Sequence, residues 1–398
     1  MPRILWLLAL GAFAIGTDAF VIAGVLPGVA GDLGVSVGRA GLLVTVFAVV
    51  YALIGPVLAV VTSSAGRRLV LVAALLAFAA ANALAAIAPT YGWLLTGRVL
   101  AAVSAALFMP SAAALAVSLV DEALRGRALA VVYGGLTLAT AVGVPLGTLI
   151  AAGIGWRGTF SLVAALGLLA GIGVYALWTA VPKPPVASLR QRIEITARPA
   201  VLGSLALTVV TLTGGFTVYT YIAPVLAHTA GARGAGLSAL LLVWGLAAAA
   251  GNGLGGNLTD RWGPARVLAL ALATLTCVFA VLAAGVVAGV AATVFWLVIW
   301  GIAAWMTIPA LQHRVVGLAS DAPAVALSLN GSAIYIGVAL GGALGSALLK
   351  GGTAKLATGA LAAELAAVVL LALLAAATPR PTPTAAPASP ASKQHDTR

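Results

Sequence analysis

The chain has 398 residues, of which 62% are hydrophobic and 8% charged, with a formal net charge of +12 and a mean hydropathy of +1.15. An ordinary soluble domain carries roughly 25% charged residues, so this composition excludes a water-covered globule and makes lipid the fitting solvent. The basic excess would suggest nucleic acid in a soluble protein; here the basic residues fall between apolar runs, and membrane topology accounts for them.

A membrane helix needs about 20 mostly apolar residues. Runs of that length predict spans at 5–29, 40–61, 69–88, 93–119, 128–153, 160–180, 200–227, 237–258, 267–284, 289–310, 324–349 and 356–377. They are continuously apolar rather than alternating, which favours helices over a β-barrel. The first is too long for the apolar core of a signal peptide and other spans follow at once, so it reads as a retained anchor. Segment 182–199 is polar, basic and proline-bearing and reads as a cytoplasmic linker; 378–398 is rich in Pro, Ala, Thr and Ser and reads as a disordered tail. The expected fold is an all-α membrane protein of about twelve transmembrane helices in two pseudo-symmetric six-helix bundles, 1–181 and 200–377.

Placing the N-terminus in the cytoplasm puts fifteen Lys and Arg residues on that side and five outside, at Arg39, Arg157, Arg233, Lys350 and Lys355, with Arg98 inside a span. The positive-inside rule then predicts a cell (plasma or inner) membrane location with both termini cytoplasmic. An offset of 197 carries Pro27 onto Pro224, Gly66 onto Gly263 and Gly134 onto Gly331. Asp121 and Asp321 differ by 200, and Pro110 and Pro309 by 199. Near-constant spacing at matching topological places points to a duplication. Two such halves around a midplane site are a known physical solution for transport.

Four stretches carry a family likeness. The first span holds FAIGTDAFVIAGVLP (13–27), with Asp18 one residue before the position where many relatives place an acid. The loop after the second span reads AVVTSSAGRR (59–68), keeping Gly66, Arg67 and Arg68 of a G-x-x-x-D-R-x-G-R-R pattern with Ser63 and Ser64 for its Asp-Arg. Its second-half counterpart, GNLTDRWGPA (256–265), keeps Asp260 and Arg261. The fourth span has Arg98, and the fifth has Gly143, Pro145 and Gly147, followed by GWRGTF (155–160). Over roughly residues 4–377 the chain resembles the major facilitator superfamily, within it the drug:proton antiporter branch of arabinose-efflux-like and chloramphenicol-resistance permeases. The resemblance implies alternating access, the arginine-bearing loops as a conformational latch, and the fifth-span glycines and proline as an antiporter signature.

A proton-coupled exporter needs a titratable group that alternates between two exposures. Asp18, near the middle of the first span, is the candidate, since a buried carboxyl must face a wet cavity, find a partner or take up a proton. The alternative is a polar residue satisfied by a neighbouring helix. Arg98 reads either as its electrostatic partner or as an arginine snorkelling to the outer interface. Glu364 reads as a residue that reaches the outer interface. Pro145 permits a kink and Gly143 and Gly147 close helix approach. Tyr51, Tyr219, Tyr221, Asn252, Trp305, Asn330 and Tyr335 are candidates for a substrate cavity. Gly66, Arg67, Arg68, Asp121, Arg125, Asp260 and Arg261 are candidates for a cytoplasmic gate, the alternative being solvated loop charges.

The scattered His228, His313 and His395 have no metal-ligand spacing, no paired carboxylates occupy the spans, and no G-x-x-x-x-G-K-[ST] segment exists. An enzyme and an ATP-driven pump are therefore disfavoured, and neither metal nor cofactor is expected beyond a proton gradient. The expected function is secondary, proton-coupled efflux of small lipophilic or amphiphilic compounds by a monomer, with protons, lipid and a small-molecule substrate as partners and no nucleic acid. Export or facilitated passage of a metabolite is the alternative.

Overall fold

A computed structural model describes residues 1–62, 65–178 and 189–377. The linker residues 182–188 and the tail 378–398 lie outside the described residues, as do Ser63 and Ser64. Among the described residues eleven helical stretches are long and apolar enough to cross a membrane, and the last, Pro323–Ala377, holds two helices broken at Leu349–Gly351. Twelve crossings result, and the chain is a multi-span membrane protein.

The first half contains α1 (Ile4–Asp32), α2 (Val37–Val61), α3 (Arg67–Ala86), α4 (Tyr91–Ser118), α5 (Arg125–Leu138, then a π turn at Ala139–Gly143 and Val144–Ile154) and α6 (Trp156–Ala176). A short helix, Leu189–Thr196, precedes the second half and docks on it through the buried Ile195. Then come α7 (Pro199–Tyr219 and Ile222–Ala230), α8 (Gly234–Trp262), α9 (Pro264–Ala283), α10 (Val290–Leu318), α11 (Pro323–Leu348) and α12 (Gly352–Ala377).

Local chemistry sets the joints. Proline stands in the first turn of α7, α9 and α11, where its missing N–H has no helical partner to lose. One-residue turns at Gly155 (φ +86°) and Gly263 (φ +79°) reverse the chain between antiparallel spans, a backbone conformation that suits glycine alone. In hydrocarbon every polar group needs a local partner, so Thr208, Thr213 and Thr217 on α7 each bond the carbonyl four residues back. Cys277 is exposed on α9.

The core reveals the conformational state. We call the membrane face bearing Ile4 the basal face and that bearing Asp32 the far face. One buried cluster is shared by both halves and includes Leu26, Leu43, Tyr221 and Leu241. Two others belong to one half each: Leu5, Leu8 and Phe108 in the first, Val201, Val315 and Val325 in the second. Two glycines mark places where the halves touch. A methyl group added at Gly41 would fall on Tyr221, and one at Gly245 on the backbone of Thr140. On the basal side, Gly134, Gly253 and Gly331 have nothing within 4 Å of such a group. The halves therefore share a packed core toward the far face, where a groove lined by Pro27, Thr148, Pro224 and Leu237 remains between them, and keep separate cores toward the basal face.

Candidate functional site

Asp18 and Arg98 meet. Arg98 Nη1 donates to Asp18 Oδ1, and Nη2 lies 3.4 Å from the Asp18 carbonyl oxygen. The pair is fully enclosed, with side-chain exposures of 0% and 1%. Arg98 does not snorkel; its guanidinium lies over the Phe47 ring at 4.5 Å. A cation over an aromatic face in a dry site gains about 2 kcal/mol or more. Asp18 Oδ2 and Arg98 Nε have no hydrogen-bond partner among the described residues, so the pair keeps unused bonding capacity.

α5 closes the site from the side. A Cβ at Gly143 would land on Thr17 Oγ1, one residue from Asp18. At Gly147 it would meet Val21 at 2.6 Å and Thr159 at 2.9 Å. These glycines let α5 lie directly on α1. Pro145 has no N–H to close the helical bond to Ala141, and the π turn spans that carbonyl. The carbonyl of Pro145 itself accepts a 2.6 Å bond from Ser238 of α8, across the two halves. Gly143→Val should therefore push α5 off α1, at the 1–3 kcal/mol typical of overpacking, and abolish transport. Gly134→Val, in open space, should do neither; thermal unfolding and vesicle transport of the two variants compare them.

Around this pair the halves bring together an aromatic cluster, which forms a ceiling between their separate basal cores. Tyr51 and Tyr335 stack across the halves at 3.8 Å, with Phe47 6.4 Å from each. Phe20 of α1 meets Phe216, Tyr219 and Trp305 at 6.1–6.4 Å. Four of the expected cavity residues, Tyr51, Tyr219, Trp305 and Tyr335, thus gather in one region. Phe20, Phe47 and Phe216 join them unannounced by the sequence reading; their only signal was proximity along the chain to Asp18, Tyr51 and Tyr219 respectively.

Other expectations are corrected. Tyr221 lines no cavity: its hydroxyl donates to the Gly342 carbonyl at 2.9 Å and lies 3.4 Å from that of Gly38, in the far-face seam. Asn330 is 1% exposed and accepts from Thr208, inside the second half. Asn252 is half-buried on α8. Glu364 does not reach the interface; it is 0% exposed.

The gate candidates do not bridge the halves in this state. Arg67 bonds Ser118 at 3.5 Å and Arg68 bonds the Tyr175 carbonyl at 2.9 Å, both within the first half. Arg125 pairs at 3.7 Å with Glu122 of its own loop. Gly66, Asp121, Asp260 and Arg261 are exposed, and the last three join no ion pair among the described residues. Asp321 forms two 2.7 Å bonds with Arg198. That hydrogen bonding holds the Asp321 carboxyl below its ordinary range, so what the pair lends to folding is present at neutral pH and lost as pH falls through the carboxylate range. The Trp156–Arg157 element, singled out only as a recurrent motif, ties off α1: both side chains donate to Asp32.

The Major Facilitator Superfamily model matches residues 8–323. The chain is 34% identical to the inner membrane transport protein YdhP of Escherichia coli K12, covering 94% of this chain and 96% of that one. It is 35% identical to a chloramphenicol resistance protein of Streptomyces lividans (93% and 95% covered) and 33% identical to the MFS-type transporter YbcL of Bacillus subtilis (87% and 88%). Its fold matches a bacterial homologue of the human lysosomal transporter Spinster in an inward-facing, unoccupied conformation, with a TM-score of 0.72 at 18% identity over 94% of this chain and 95% of that one. The chain belongs to the major facilitator superfamily and is a secondary transporter working by alternating access, not an enzyme.

Proposed function

We propose that this transporter exports small lipophilic or amphiphilic compounds in exchange for protons, with Asp18 as the coupling carboxyl and Arg98 as its counter-charge. The observation that carries the reading is the enclosed Asp18–Arg98 pair, placed beside the aromatic ceiling between the basal cores. A proton arriving on Asp18 from the far side neutralises it and releases Arg98. Once the far face has closed, the guanidinium competes for the carboxyl again and the proton leaves toward the basal side. The ion pair is then the discharged state, ready to receive solute from the basal face. Apolar aromatic walls with few polar groups suit a flat, poorly charged solute, and the chloramphenicol-resistance relative makes chloramphenicol the first compound to try.

The bias of basic residues supports both termini in the cytoplasm of an inner or plasma membrane, and on that reading the basal face is the one toward the cell interior. Uptake of labelled chloramphenicol into everted vesicles, with and without an imposed pH gradient, tests the reading. Wild type should accumulate the compound only with the gradient, and Asp18→Asn should lose that component. Transport indifferent to the gradient in both would remove proton coupling.

A further inference from the structure

The second half lacks an acid where the first half has one. The offset that carries Pro27 onto Pro224 carries Thr17 and Asp18 onto Gly214 and Gly215 of α7. A carboxyl delivered from another helix nevertheless lies beside the first of these glycines, the counterpart of Thr17, while Gly215 has nothing within 4 Å of an added Cβ. Glu364 of α12 packs so closely on Gly214 that an added Cβ there would fall on its Oε1, with Cδ at 2.9 Å and Cγ at 3.1 Å. Glycine at 214 is what leaves room for the carboxyl.

Glu364 is 0% exposed, and neither of its oxygens has a hydrogen-bond partner among the described residues. Among the described residues no ionisable group on the helices around it bonds it, and the buried Tyr219 hydroxyl is likewise without a partner. On α7, Tyr219 lies against Trp244 at 4.5 Å and Tyr221 bonds the Gly342 carbonyl. On α11, Tyr335 stacks on Tyr51. His228 of α7, Arg266 and Cys277 of α9 and Lys355 of α12 are exposed. An unpaired carboxylate is not sustained in so dry a site, because burial without compensating bonds strongly disfavours the charge. The neutral acid is the form that fits.

The neighbouring backbone supplies a way out. Gly214 and Gly215 are a pair of helix-weakening residues in mid-span. Phe216, next along, already belongs to the aromatic ceiling, and α7 breaks a few residues later, at Thr220–Tyr221. Bending at the pair would open a path between Glu364 and the space beneath the aromatic ceiling.

We propose that Glu364 is a second proton-binding site, closed off behind Gly214–Gly215 in this state and exchanging its proton when α7 bends. The inference extends the proton-coupled reading and is tested without it. Infrared spectra of the full chain in lipid nanodiscs at neutral pH should contain the carbonyl band of a neutral, apolar carboxyl. Glu364→Gln should remove that band, Asp18→Asn should leave it, and D2O should shift it as the proton exchanges. Should Glu364→Gln fail to fold, Gly214→Ala should displace the same band by crowding the carboxyl. A band indifferent to both substitutions, or one that D2O never shifts, overturns the proposal. The Asp18 reading is decided separately, by whether vesicle transport of labelled chloramphenicol depends on the pH gradient. In the same vesicles Glu364→Gln should still transport, moving about half as many protons per solute.

Discussion

Arg98→Ala should lower gradient-driven transport at least about tenfold and destabilise the protein, whereas Arg98→Lys should fall between it and wild type. The physical reason is asymmetry between making and breaking an enclosed pair. Replacing both members of a buried ion pair can be nearly neutral, but removing one leaves a charge without compensation, at about 3–5 kcal/mol. Arg98 is 1% exposed and Asp18 0%, so water does not enter the account. Lysine would restore the charge but neither the contact to the Asp18 carbonyl nor the planar stacking on Phe47. The double variant Asp18→Asn/Arg98→Ala should unfold at a higher temperature than Arg98→Ala alone, while remaining uncoupled. Thermal unfolding in detergent and vesicle uptake supply the two readouts. Equal transport by wild type, Arg98→Lys and Arg98→Ala would show that the pair is structural.

The twelve crossings were legible because length and hydropathy are nearly sufficient where lipid is the solvent. The interruptions were less so. Segment 200–227 read as one span, yet α7 breaks at Thr220–Tyr221. The cause is Pro224: without an N–H it leaves the carbonyl of Thr220 unbonded, and only the packed structure decides whether the helix bends or breaks there. Asp18 and Arg98 stood out singly as charges in apolar runs, but 80 residues separate them and hydropathy is blind to facing. The same blindness misplaced Tyr221 and Asn330, which are polar in mid-span for reasons unrelated to a cavity. Glu364 lies about three turns into α12, within reach of an interface if its helix alone is considered. What holds it inside is a glycine on α7, a relation no single segment displays. The loop charges read as a gate because a gate and a solvated loop have the same composition; which one they form depends on the state of the halves.

That state can be tested at the far-face seam, where the two halves share their one common core. Gly41→Val should force α2 away from α7 and open the far face, because its side chain would occupy the position of the Tyr221 phenol. The seam offers little room to yield. Tyr221 is 0% exposed and bonds the Gly342 carbonyl, while Ser346 donates to that of Gly38 at 2.9 Å. Overpacking of this kind costs about 1–3 kcal/mol, which moves a two-state equilibrium about 5- to 150-fold. Spin labels at Ser36 and Lys350, on the far ends of α2 and α11 in a Cys277→Ser background, should report a longer distance in Gly41→Val than in the parent. Tyr221→Ala added to Gly41→Val should bring the short distance back, since the cavity left by the phenol accepts the valine. If the double variant is as open as Gly41→Val, the wedge acts elsewhere and the seam is not what closes the far face. If the single variant keeps the short distance, the α2–α7 contact is more yielding than its packing implies, and closure must rest on the α5–α8 contact at Pro145 and Ser238.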